Sequence, residues 1–103
     1  MPRWLFRVLG QVRGLADQGG IAFTFKAFAE PSDFNPPLEM YEACEVLAHL
    51  TPAEFIRRVW SHQTGEWLYV FKPQIWGMPT YVKLALRDEC VVISFHKDTA
   101  DVE

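Results

Sequence analysis

The spacing of apolar residues changes along this chain, from helical intervals in its first part to alternation in its last. In "PRWLFRVLGQVRGLADQGG", Trp4, Leu5, Val8, Leu9, Val12, Leu15 and Ala16 fall on one helical stripe. Arg3, Arg7, Arg13 and Asp17 lie opposite, and Gly19-Gly20 supplies the stop. Ile21 to Phe23 read as a short strand, with Thr24 capping a short helix that ends before Pro31. After the loop "SDFNPP", Asn35 is expected to cap a helix entered through Pro36 and Pro37 and running to about His49. "LTPAEF" is the sharpest local signal, a capping box of Thr51 and Glu54 with Pro52 at the first helical position. It predicts a helix that buries Phe55, Ile56, Val59 and Trp60 and turns Arg57, Arg58 and Ser61 outward.

From Glu66 onward the period is two. "EWLYVFKP" predicts a strand ended by Pro73, and "QIWGMP" connects it to a hairpin, "YVKLALRDECVVISFHKD". A two-residue turn at Asp88-Glu89 pairs Arg87 with Cys90, Leu86 with Val91, Ala85 with Val92 and Leu84 with Ile93. The same register sets Lys83 opposite Ser94, Val82 opposite Phe95 and Tyr81 opposite His96. Alternation then gives one apolar face of Val82, Leu84, Leu86, Val91, Ile93 and Phe95. Tyr81, Lys83, Ser94 and His96 gather at one end of the other face. Helices followed by a three-stranded antiparallel meander make an α+β domain.

Composition narrows the class. The 103 residues are half hydrophobic and 15% aromatic, enough for one domain with a buried core and no linker or repeat. The apolar N-terminal segment is broken by Arg3, Arg7 and Arg13, which speaks against a signal peptide, and no run suits a membrane span. Cys44 and Cys90 form neither a disulfide framework nor a zinc spacing, so a reducing cytoplasm is expected. The net charge of −3 hides an uneven distribution. Residues 30–56 carry six acids and no Lys or Arg, whereas residues 57–97 carry Arg57, Arg58, Lys72, Lys83, Arg87 and Lys97 against three acids. The hairpin half is locally basic, and Asp98, Asp101 and Glu103 make an acidic tail.

Several chemistries lack their motifs: there is no GxGxxG, no Walker-type loop, no HExxH and no CxxC. The three histidines fall on separate elements, so neither a metal site nor a cofactor is expected. His49, one helical turn after Glu45, reads as half of a surface ion pair. His62 suits a helix C-terminus or a helper role beside Arg58. Trp67, Tyr69 and Phe71 share a strand face and read as core, while Trp76 and Met78 either stack on bases or pack under their loop. The Tyr81–His96 pair with Lys83 and Lys97 nearby suits phosphodiester cleavage by a ribose 2′-hydroxyl. That reaction needs a base, an acid and cations for the developing phosphorane charge, and imidazole can serve as acid or base.

"LGQVRGLADQGG", "LTPAEFIR", "WLYVFKP" and above all "YVKLALRDECVVISFHKD" resemble the MqsR family of toxins from type II toxin–antitoxin systems. The similarity is collinear over roughly residues 8 to 98 and strongest in the hairpin. It implies a RelE-like α+β fold over a single toxin-like domain, residues 1–103, with an antiparallel sheet and N-terminal helices on one face. It also implies a metal-independent endoribonuclease, an mRNA interferase. The implied partners are mRNA and a zinc-binding, helix-turn-helix antitoxin, with DNA reached only through that antitoxin.

By the resemblance, a family lysine is Arg57 here, the family tyrosine is Tyr81, its neighbouring lysine is Lys83, and a late lysine is His96 beside Lys97. A family glutamine becomes Leu68. The expected catalytic residues are therefore Arg57, Tyr81 and His96, with Arg58, Lys83 and Lys97 guiding RNA. The products are expected to be a 2′,3′-cyclic phosphate and a 5′-hydroxyl. The rival reading, prompted by Leu68, is a catalytically degenerate homologue that acts as a protein-binding module.

Overall fold

A computed structural model describes residues 2–98; the expected tail acids Asp101 and Glu103 lie outside the described residues. Helix α1 (Arg3–Asp17) turns Leu5, Val8, Leu9 and Val12 inward, as its stripe requires. Its last turn runs into Gly19, whose φ of +73° suits glycine. Strand β1 (Ile21–Phe23) and helix α2 (Phe25–Ala29) follow as expected, with the Thr24 hydroxyl accepting from the Ala27 N–H. Helix α3 spans Met40–Ala48 and is shorter at its start than "SDFNPP" suggested. Glu39 caps it, not Asn35, and Glu42 returns the bond to the Glu39 N–H in a reciprocal box. Pro36 and Pro37 precede the helix as exposed loop residues and do not open its first turn.

The principal correction concerns the segment after Leu50. The capping box of Thr51 and Glu54 does form, but it closes one 3-10 turn (Pro52–Glu54) and the chain then extends as strand β2 (Phe55–Ser61). Phe, Ile, Val and Trp favour a pleated surface, and the adjoining strand β3 (Glu66–Phe71) supplies the partner. Gly65, at φ +67°, completes the tight connection between them. His62 therefore sits in a hairpin turn rather than at a helix end. "QIWGMP" is not a plain connection either. It contains β4 (Gln74–Ile75), which folds onto the start of β5 (Met78–Leu86) through a turn at Trp76-Gly77.

With β6 (Cys90–Lys97) the sheet has six strands among the described residues, in the order β1-β6-β5-β3-β2 with β4 beside β5. It is antiparallel except for β1, which pairs parallel to β6. Helices and the residues around Phe34 and Leu38 pack on one face, where Phe71, Val82, Leu84, Cys90, Val92 and Phe95 are buried. Burial pushes the Cys90 thiol up to about 12, so it is a core residue and not a nucleophile.

Two strands carry an extra residue. In β2, Phe55 faces Phe71 while Arg57, not Ile56, faces Val70. In β6, Val92 faces Leu84 while Ser94, not Ile93, faces Lys83. The last hairpin consequently departs from the expected register near its turn, where Leu86 pairs with Cys90 across a three-residue connection. It returns to the expected register beyond the bulge, with Tyr81 opposite His96. Cys90 and Val92 replace Val91 and Ile93 on the core face.

At the far end of the sheet, Arg87 makes a bidentate pair with Glu66, at 2.9 and 2.7 Å. Hydrogen bonds from Arg87 hold the Glu66 carboxyl at about 2, below its ordinary 4.5. A depressed carboxyl stabilises the fold above its unfolded pKa and loses that contribution as pH falls through the folded value. Thermal melts between pH 5 and about 2 are therefore expected to lose stability more steeply in the native protein than in Glu66→Gln. Salt should shrink the difference, since the pair is exposed.

Candidate active site

The face of the sheet away from the core carries no helix among the described residues, and cross-strand pairing arranges its side chains in rows. One row runs Arg57, Val70, Lys83, Ser94 across β2, β3, β5 and β6. The next is the pair Tyr81 and His96, with Lys72 just past the end of β3 on the same side. On the other flank lies an apolar row of Val59, Leu68, Ala85 and Val91. Val70 is only 1% exposed at the floor of this surface. A cavity of about 230 Å³ opens above it, lined by Ile56, Arg57, Val70, Lys72, Tyr81 and Asp98.

The Tyr81 and His96 rings stack, with centroids 5.2 Å apart and planes 12° from parallel. His96 Nδ1 lies 2.9 Å from the Lys97 carbonyl oxygen. A carbonyl only accepts, so Nδ1 carries the hydrogen and a neutral ring presents an unprotonated Nε2. Lys72 pairs with Asp98 at 2.9 Å and closes one end of the cavity. On the other side Lys26 of α2 donates to the Ser94 hydroxyl at 3.3 Å and pairs with Glu30 at 3.0 Å. The surface thus gathers Arg57, Lys83, Lys72 and Lys26 against Asp98 and Glu30, a cationic patch on a chain of net negative charge.

Arg57, Tyr81, Lys83 and His96 are brought together here. Arg58 and Lys97 are not. Alternation sends Arg58 to the helix side, where its guanidinium lies 4.2 Å from the Trp4 ring centre and 4.0 Å from that of Trp67. Lys97 faces buried Thr80 across the strands and shares that side. His49 bonds the Glu45 backbone carbonyl, with Nδ1 at 2.8 Å, rather than its carboxylate. Trp67 belongs to an edge-on pair with Trp60 at 5.2 Å, and both rings are partly exposed. Trp76 and Met78 are exposed. Lys72 and Lys26 escaped the sequence reading. Alternation from Val70 places Lys72 on the site face once the β3–β5 register is known, whereas nothing local marks Lys26, which arrives from a distant helix.

Helices on one face of a mostly antiparallel sheet, with a Tyr–His pair and cations on the other, make this a RelE-like α+β domain. Residues 8–97 match the family described as "Motility quorum-sensing regulator, toxin of MqsA", and the chain belongs to this MqsR toxin family. It is the toxin of a toxin–antitoxin pair. Comparison with curated proteins gives no match.

The Trp4–Arg58–Trp67 sandwich makes a structural prediction. Arg58→Ala is expected to lower unfolding free energy by about 1–2 kcal/mol in urea titrations, through two cation–π contacts and the packing of a half-buried side chain. Arg58→Lys should recover only part of it, because an ammonium does not stack as a planar guanidinium does.

Proposed function

We propose that this toxin is an endoribonuclease that cleaves mRNA by attack of a ribose 2′-hydroxyl, leaving a 2′,3′-cyclic phosphate and a 5′-hydroxyl. The observation that carries the reading is the stacked Tyr81–His96 pair beside the row holding Arg57 and Lys83. His96 Nε2 takes the 2′-hydroxyl proton, its ring held by the Nδ1–H bond to the Lys97 carbonyl. The 2′-oxygen bonds to phosphorus, and the bond to the 5′-oxygen breaks. Tyr81 gives its hydroxyl proton to that leaving oxygen, and the imidazolium then returns a proton to the phenolate. Arg57, which can grip two phosphate oxygens at once, and Lys83 neutralise the phosphorane.

Charge neutralisation is assigned to these cations, which the site supplies itself. Lys72 lines the same cavity and extends the track for the RNA backbone. Arg58, packed between two indoles on the other face, has no part in this mechanism. Leu68 and its apolar row give a base a dry surface to lie on where a polar contact is missing. The partner is a cognate antitoxin protein, and the free thiols of Cys44 and Cys90 fit work in the cytoplasm. No helix of the described residues is long and apolar enough to cross a membrane.

EDTA-treated protein, freed of any antitoxin, should cut a long mRNA and leave cyclic phosphate ends. His96→Ala and Tyr81→Phe should each slow cleavage by about 10²–10⁴-fold, and Arg57→Ala by about 10²–10³-fold, with the circular dichroism spectrum unchanged. Uncut RNA, both free and on ribosomes, would falsify the nuclease and leave the protein-binding module.

A further inference from the structure

Helix α2 borders the site and carries one nearly bare aromatic ring and a second that is more than half exposed. Phe25 is 96% exposed and Phe28 60% exposed, while Ala27 between them is fully buried and anchors the helix. A phenylalanine left in water forgoes about 1.5–3 kcal/mol of burial, so this surface has no stabilising reason to be aromatic. At 100° per residue, Lys26 points to one side of Ala27 and Phe28 to the other; Phe25 lies on the solvent side between them, about 100° from Lys26 and about 60° from Phe28. The Lys26 ammonium is placed by its contacts: 3.3 Å from the Ser94 hydroxyl and 3.0 Å from Glu30. Ser94 faces Lys83 across the strands and is one row from the Tyr81–His96 pair. A fixed cation and a bare aromatic ring, adjacent in the chain and at the rim of a cationic surface, are what a single strand needs: a charge for its phosphate and a plane for its base.

We propose that Phe25 and Lys26 form a nucleotide subsite for single-stranded RNA beside the scissile phosphate. Lys26 contacts a backbone phosphate and Phe25 stacks on the adjoining base. This subsite rests on the endoribonuclease reading and deepens it. Stacking on a phenyl ring does not distinguish base edges, so the subsite contributes affinity and register rather than recognition of one base. Sequence preference is then left to other contacts.

The test is binding of a fluorescein-labelled, single-stranded 2′-O-methyl oligonucleotide of mixed sequence, which lacks the attacking hydroxyl, followed by anisotropy at several salt concentrations. Cleavage of unmodified RNA is measured in parallel. Phe25→Ala should weaken binding by about 5- to 100-fold, and Phe25→Trp should restore it. Lys26→Gln should weaken binding and reduce the slope of log Kd against log salt by about 0.7. Because Phe25 makes almost no contact with the rest of the chain, melting curves of both Phe25 variants should overlay that of the native protein. Unchanged Kd in Phe25→Ala, with native RNA still cut, overturns the subsite and leaves the nuclease standing. Loss of antitoxin binding in Phe25→Ala, with oligonucleotide binding intact, overturns it in favour of a protein contact. Native protein that neither binds the oligonucleotide nor cuts RNA removes the nuclease reading and the subsite with it.

Discussion

Two extra residues, Ile56 in β2 and Ile93 in β6, decide which side chains share the open face of the sheet. A regular strand keeps residues an even number apart on one side and sends those an odd number apart to opposite sides. Phe55 and Trp60 are an odd number apart, yet both lie on the helix side. Phe55 packs edge-on against Trp4 and Phe71, and Trp60 against Trp67. Val92 and Phe95, also an odd number apart, are both buried in the core. Each segment meets these demands only by accommodating one additional residue. The consequence appears on the other face: Arg57, which an unbulged strand would turn inward with Phe55, is turned outward, and Ser94 and His96 line up with Lys83 and Tyr81. Restoring a regular register would bury a guanidinium or a hydroxyl among apolar side chains, at a cost of several kcal/mol for the charged group. The core and the site therefore hold each other in register.

The balance of magnitudes explains how such a surface is tolerated. Each fully buried side chain among Phe71, Val82, Leu84, Val92 and Phe95 contributes on the order of 1.5–3 kcal/mol. Repulsion between exposed cations is weaker, commonly below about 1 kcal/mol per pair in water and salt. Glu30 and Asp98 offset part of it through their pairs with Lys26 and Lys72. The apolar side of the sheet carries the fold, and its other side remains available to concentrate positive charge. Apart from Glu30, the acids of residues 30–56 give the chain its overall sign without neutralising this face, because most of them sit on α3 and the turns beside it.

Much of the architecture was legible in the sequence because its signals were local and redundant. Helix α1 declares itself by a stripe and a double glycine. The final hairpin declares itself by alternation, and its site end, Tyr81 opposite His96, was placed correctly although the turn was not. That success depended on a cancellation: the actual turn is one residue longer than expected, and the bulge at Ile93 takes up the difference. The segment 55–61 failed for a related reason. Phe55, Ile56, Val59 and Trp60 match a helical stripe, and they equally match a strand with one residue too many. The genuine capping box before them tipped the balance towards a helix that lasts a single turn. Arg57 and Arg58 then looked like neighbours on one helix face, whereas a strand sends them to opposite sides of the sheet. Lys26 was out of reach, since its position is set by a contact across 68 residues of chain.

That contact belongs to a wider arrangement which ties the short helix to the reactive strand. A bulge leaves backbone groups without ladder partners, and buried ones must be satisfied elsewhere. Beyond Val92, strand β6 has no neighbouring strand on its outer edge among the described residues, because β1 ends at Phe23. The groups around α2 take over. The Thr24 N–H donates to the Val92 carbonyl at 3.0 Å, the Thr24 hydroxyl to the Ile93 carbonyl at 3.5 Å, and the Phe95 N–H to the Glu30 carboxylate at 2.8 Å. Thr24 and Glu30 thus bracket α2 at its two ends and fasten both to the bulged stretch that precedes His96. The other oxygen of Glu30 holds Lys26 against Ser94. The same carboxylate that satisfies the strand edge orients the cation at the rim. The placement of His96 and the placement of the helix bearing Phe25 and Lys26 consequently follow from one solution to one problem, the unpaired edge of a bulged strand.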